Sequence, residues 1–170
     1  MMNAKQDYFS NYPHEVRSGT ERSPVSYVLR SGYYAVHGLD TERNIESASA
    51  VAVFEEGIAI HSGTPPTARN TASEEVFSPV YSLRSGDSFM VPTGLVFVRF
   101  AEGVPAESHQ DAIEQAGYKI NEIPPYAPHA AWVYAQSGEI ADALSQLSKL
   151  EAIPDVENVE PQMLMQRSHR

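Results

Sequence analysis

A chain of 170 residues, 42% of them apolar, is long enough for one ordinary globular domain or two small ones. It has no cysteine, which excludes a disulfide framework and a thiolate metal site. Its net charge of −10 argues against a nucleic-acid partner, which needs clustered Lys and Arg; it suits solubility alone, or docking to a neutral or basic protein surface.

Residues 1–22 are polar and without a clear period, so the sequence predicts a flexible N-terminal arm there. The start, MMNAKQDYFSNYPHEV, lacks the apolar core of a secretory signal, and no run reaches the length of a membrane span. The expectation is a soluble cytoplasmic protein with no membrane partner. The doubled Met1-Met2 suggests a complete gene product.

Residues 23–92 read as a β-rich accessory region. The runs Val25–Arg30, Tyr33–His37, Ala50–Phe54 and Gly57–His61 are rich in Val, Tyr and Ile, with turn residues between them. Ser62–Glu75 reads as a loop, since Pro65-Pro66 cannot sit inside a ladder. A weak repeat runs through this half. SPVSYVLRSG at 23–32 returns as SPVYSLRSG at 78–86, and VAVFEEG at 51–57 resembles VFVRFAEG at 96–103. Either strand-and-turn composition has converged, or the first half is a degenerate copy of the start of the second.

Residues 93–162 alternate strand and helix signals. Leu95–Phe100 (LVFVRF) has a period of two, and Arg99 makes Val96, Val98 and Phe100 the core side. A helix is expected from Ala106, with His109, Ala112, Ile113 and Ala116 on one stripe and Gly117 as its cap. Tyr118–Ile123 and Ala130–Ala135 follow as strands. Ile140, Leu144, Leu147 and Leu150 form a second helical stripe that Pro154 ends, and Val156–Gln162 is a last strand. The expected fold class is α+β: a ferredoxin-like βαββαβ domain with both helices on one face of a four-stranded antiparallel sheet, preceded by the small β-rich region. Such a domain leaves one sheet face bare for a partner, and Trp132 would be an interface anchor if it faces that side, or core if it does not.

The stretches GLVFVRFAEGV at 94–104, PPYAPHAAWVYA at 124–135 and LEAIPDVENVEPQ at 150–162 resemble the propeptides of subtilisin-family serine proteases. That resemblance implies a propeptide-like inhibitor, with a folding-chaperone role, whose open sheet face packs on two surface helices of a separately encoded subtilase. It also implies that Glu160 caps a helix N-terminus of the protease, and that Gln162 stands where a second acid is often found. A tail over residues 163–170 would then lie in the active-site cleft as a product mimic. Met163 and Leu164 lead into it, Met165 falls in the fourth pocket from the cut, Gln166 and Arg167 follow, and Ser168 comes at the reactive carbonyl. The register of that tail stays open by one or two residues.

No catalytic residue is expected. No G-T-S-M or G-x-S-x-G nucleophile motif occurs, and the six histidines, at 14, 37, 61, 109, 129 and 169, show no pair at metal-ligand spacing. No cofactor or metal is expected either. The alternative function is a non-inhibitory binding module whose sheet serves oligomerisation.

Overall fold

The computed structural model describes residues 9–20, 22–38, 50–54, 57–65, 76–84, 86 and 88–165. Nine strands are present among them. They are β1 (Glu15–Gly19), β2 (Pro24–His37), β3 (Ala52–Phe54), β4 (Ile58–Ser62), β5 (Val76–Leu83), β6 (Met90–Phe100), β7 (Tyr118–Glu122), β8 (Ala130–Ala135) and β9 (Val156–Met165). Helix among the described residues is confined to a 3₁₀ turn at Ala106–His109 and three segments, α1 (Gln110–Gln115), α2 (Ile140–Ser145) and α3 (Leu147–Glu151), none longer than six residues.

All nine strands belong to one sheet with the path β3-β4-β2-β5-β6-β8-β7, to which β1 adds on β2 and β9 on β6. Every ladder is antiparallel. This corrects the expected fold class. The protein is a predominantly antiparallel β structure with short helices, not an α+β ferredoxin-like domain following a separate β-rich region. One physical reason lies in β6, which begins at Met90 rather than after Pro92 and pairs there with Tyr81 of β5, so the two halves share a sheet. Pro92 is tolerated because the β6–β9 register shifts between Pro92 and Val96; a residue without an N–H belongs at such a bulge. Gly94 supplies the positive φ of 94° there, and a Cβ on it would press on Ile140 at 3.3 Å.

Other expectations shift locally. Residues 15–19, placed in the flexible arm by their polarity, form β1 with Val16 and Ser18 buried, and Tyr12 is buried ahead of them. The arm's residues 1–8 and 21, and residues 66–75 of the expected loop, lie outside the described residues. Val25–Arg30 and Tyr33–His37 are parts of one strand, which runs through Ser31-Gly32 with a register shift against β5. The first repeat pair lies on neighbouring strands, β2 and β5, so the copies pair with each other: Tyr27 with Leu83, Leu29 with Tyr81. The second pair sits on the outermost strand β3 and on the central β6, which are not equivalent positions. The helical stripe 140–150 is broken at Gln146, where Ser145 Oγ already donates to Ala141 O at 2.7 Å.

Two apolar clusters hold the sheet. The larger packs Ile113, Ile140, Leu144, Leu147 and Leu150 from the helices on Val96, Val98 and Phe100 of β6, Val133 of β8 and Val159 of β9. It also takes in Val16 and Tyr81, and so ties the first half to the second. Tyr118 and Tyr81 enter it with their hydroxyls satisfied, donating to Ala143 O and Pro13 O at 2.7 Å each; burial raises both phenols above their ordinary range. The smaller cluster gathers Ala35, Phe54, Ile58, Ile60, Val80 and Val91.

Half-buried His37 lies 2.8 Å, through Nε2, from the Oγ of Ser78. Ser78 is fully buried and donates in turn to Pro79 O at 3.1 Å, so the ring N–H donates to Oγ. Burial lowers the His37 pKa from 6.5 to about 4. The folded state therefore binds fewer protons than the unfolded one between those values. This contribution is complete above pH 6.5 and is lost as pH falls toward about 4, at most about 3 kcal/mol. Urea unfolding at several pH values is expected to show that slope, and His37→Gln to flatten it; an unchanged slope in the variant would assign the acid limb to other groups.

Candidate protein-docking face

Alternation along β6 and β8 gives the sheet two unlike sides. Val96, Val98 and Phe100, with Ala131, Val133 and Ala135, are buried under the helices. Leu95, Phe97, Arg99 and Trp132 point the other way and are half-buried, while Tyr134 is exposed. Register then sets their neighbours. Across β6–β8, Leu95 lies opposite Tyr134, Phe97 opposite Trp132 and Arg99 opposite Ala130. Across β6–β9, Glu160 lies opposite Phe97 and Asn158 opposite Arg99. The Phe97 and Trp132 rings meet at 5.0 Å with planes tilted by 59°.

The face is thus an aromatic centre with polar groups around it, the anatomy of a docking patch. Lys119 and Glu122 of β7 share it through their pairing with Tyr134 and Trp132. Its charged groups, Arg99, Lys119, Glu122 and Glu160, cancel, against −10 for the whole chain. None of the four makes an ion pair among the described residues. Arg99 Nε and Asn158 Oδ1, side by side, have no hydrogen-bond partner there. The Glu160 carboxylate is close enough to Tyr27 to add to the upward shift that burial imposes on that phenol.

Among the described residues expected to bind a protease, only Glu160 is both exposed and on this face. Gln162 is half-buried, and its Oε1 accepts from Thr93 Oγ1 at 2.8 Å. Met163, Leu164 and Met165 are not part of a free tail. They extend β9 and pair with Pro92, Val91 and Met90. Met163 packs against the larger cluster and Leu164 against the smaller, so neither side chain is free to fill a pocket of another protein. Met165 is 50% exposed. Gln166, Arg167 and Ser168 lie outside the described residues.

Sequence reasoning named none of Leu95, Phe97, Arg99, Tyr134 and Asn158 as a binding residue. The signal was present in Leu95–Phe100, where the positions between the core residues are Leu, Phe and Arg.

The remaining polar clusters offer less. His61 stacks on Tyr34 at 5.4 Å, and His109 bridges Ser108 at 3.1 Å and Asp155 at 3.5 Å, tying the 3₁₀ turn to the turn before β9. Among the described residues no group of three His, Asp or Glu could hold a metal, and no helix is long and apolar enough to cross a membrane. A shallow groove between α1 and α3, lined by Ala112, Ala116, Ala152 and Ile153 with Lys149 at one side, lacks the convergent polar groups of a small-molecule site.

Comparison with protein-family models, with curated proteins and with solved structures finds no match for this chain.

Proposed function

We propose that this protein is a propeptide-like inhibitor of a subtilisin-family serine protease, working in the cytoplasm and docking through the open face of β7, β8, β6 and β9. The observation that supports it is the Phe97–Trp132 pair set directly beside the exposed Glu160 of the last strand. The aromatic pair gives a partner apolar area to bury, and the carboxylate can cap the free N–H groups of a helix end on the protease, worth up to about 2 kcal/mol. Because Met163 to Met165 belong to the sheet, the segment that enters the cleft is the part after Met165. It would add there as a strand to the groove. No group of this chain does chemistry in that reading.

Purified protein is expected to inhibit members of a subtilase panel assayed with a chromogenic peptide. Removing the residues after Met165 is expected to raise the inhibition constant at least tenfold while circular dichroism and melting stay the same. A full-length protein that inhibits no subtilase at micromolar concentration contradicts the proposal, and equal inhibition by the shortened chain contradicts the cleft insertion.

A further inference from the structure

We propose that the open face is self-complementary, and that two copies of this chain pair through it about a two-fold axis, Arg99 of each copy meeting Glu160 of the other.

The charges favour a second copy as the occupant. A two-fold interface requires that if residue i meets j, then j meets i. Of the four unpaired charges on the face, Arg99 and Glu160 stand on adjacent strands at diagonal positions: Glu160 opposite Phe97, Arg99 two residues further along β6. A two-fold axis passing near the Phe97–Trp132 pair would stack the aromatic centres and bring each guanidinium over the opposite carboxylate. The pairing would also give an acceptor to the terminal N–H groups of the Arg99 guanidinium, which has no ion-pair partner among the described residues. Elsewhere the chain is strongly acidic, so two copies repel except where this charge-balanced face is turned inward.

Size sets the strength. Four strands at about 4.8 Å spacing and about six residues of length give a projected footprint of roughly 400 Å² per copy. Two such footprints, about 800 Å², fall short of the roughly 1,200–2,000 Å² of stable complexes. The dimer is therefore weak and concentration-dependent, and a tighter partner displaces it. It masks the apolar face until such a partner arrives. The masking role rests on the inhibitor reading above; the pairing does not.

Sedimentation velocity over a concentration series tests the pairing on the full chain. Wild type is expected to shift from monomer to dimer in the micromolar to high-micromolar range. Arg99→Glu and Glu160→Arg, each with an unchanged melting curve, are expected to stay monomeric, because each sets like charges face to face. An equimolar mixture of the two is expected to dimerise again, since every contact then joins opposite charges. Wild type that remains monomeric throughout overturns the proposal. So do single reversals that dimerise like wild type, which would place the contact elsewhere, and a mixture that stays monomeric, which would remove the Arg99–Glu160 contact. If the dimer forms by this face but no subtilase is inhibited, the pairing stands and its masking role falls with the inhibitor reading.

Discussion

Phe100→Ala is expected to destabilise the protein by about 3–5 kcal/mol and to lower its melting temperature by roughly 10 °C. Phe100 is fully buried at the end of β6, where four parts of the chain converge. It pairs with Val156 of β9, its amide donates to His129 O at 2.8 Å, and its ring lies 4.6 Å from the His109 ring. Val98, Ile113 and Leu150 belong to the same cluster and are held by separate elements, so the cavity left by the ring cannot close without moving a strand or a helix. A domain of ordinary stability has only about 5–15 kcal/mol in hand, so the loss is a large share. Phe97→Ala, three residues earlier on the half-buried face, should cost only about 1 kcal/mol in the same denaturation experiment. Equal losses for the two would mean that the face opposite the helices is not open.

That contrast was partly legible in LVFVRF. A period of two with Arg99 in one set is enough to assign Val96, Val98 and Phe100 to the core, because a guanidinium is rarely buried unpaired. The boundaries were harder, for local reasons. The boundary between the two expected regions falls at Pro92, yet β6 runs from Met90 through Pro92, which stands just ahead of a register shift against β9. That continuation joins two regions that composition separates. Ser31-Gly32 reads as a turn, yet Gly32, at φ 88°, lets β2 run on through an irregularity. Met163-Leu164-Met165 is an apolar run, and its place at the end of a polar segment concealed a strand whose side chains finish both clusters.

The face itself was legible only as a remainder. A docking surface has no spacing rule of its own; it is what alternation leaves after the core has taken every second residue. Trp132 could be read either way from sequence, since its neighbours Ala131 and Val133 are compatible with a strand buried on both sides. Only the β6–β8 register, which sets Trp132 opposite Phe97 on the side away from the helices, decides it. The Arg99–Asn158 juxtaposition depends likewise on the β6–β9 register, with its shifts at both ends. Those shifts are set by backbone geometry at Gly94 and after Arg99, which no side-chain pattern reports.

Trp132→Ala is expected to have the largest effect on association and little on folding. A half-buried indole at the centre of an aromatic patch contributes modestly to the isolated chain, because one side already faces water. Once a partner covers it, the remaining ring surface leaves water and the Phe97 ring, 5.0 Å away, is enclosed with it. Central tryptophans of this kind carry about 2 kcal/mol or more of binding, so affinity for either occupant should fall about 30-fold or more. The loss should appear in both readouts, the dimerisation constant and the subtilase inhibition constant, since both use the same ring. Lys119→Ala, at the β7 margin of the face where its side chain stays in water, should change either constant by no more than about threefold. Denaturant midpoints for Trp132→Ala and Lys119→Ala should lie close to wild type and so separate binding from folding. If Trp132→Ala leaves both constants unchanged, neither a second copy nor a protease covers this face. If it weakens self-association alone, the ring belongs to the dimer contact and the protease docks elsewhere.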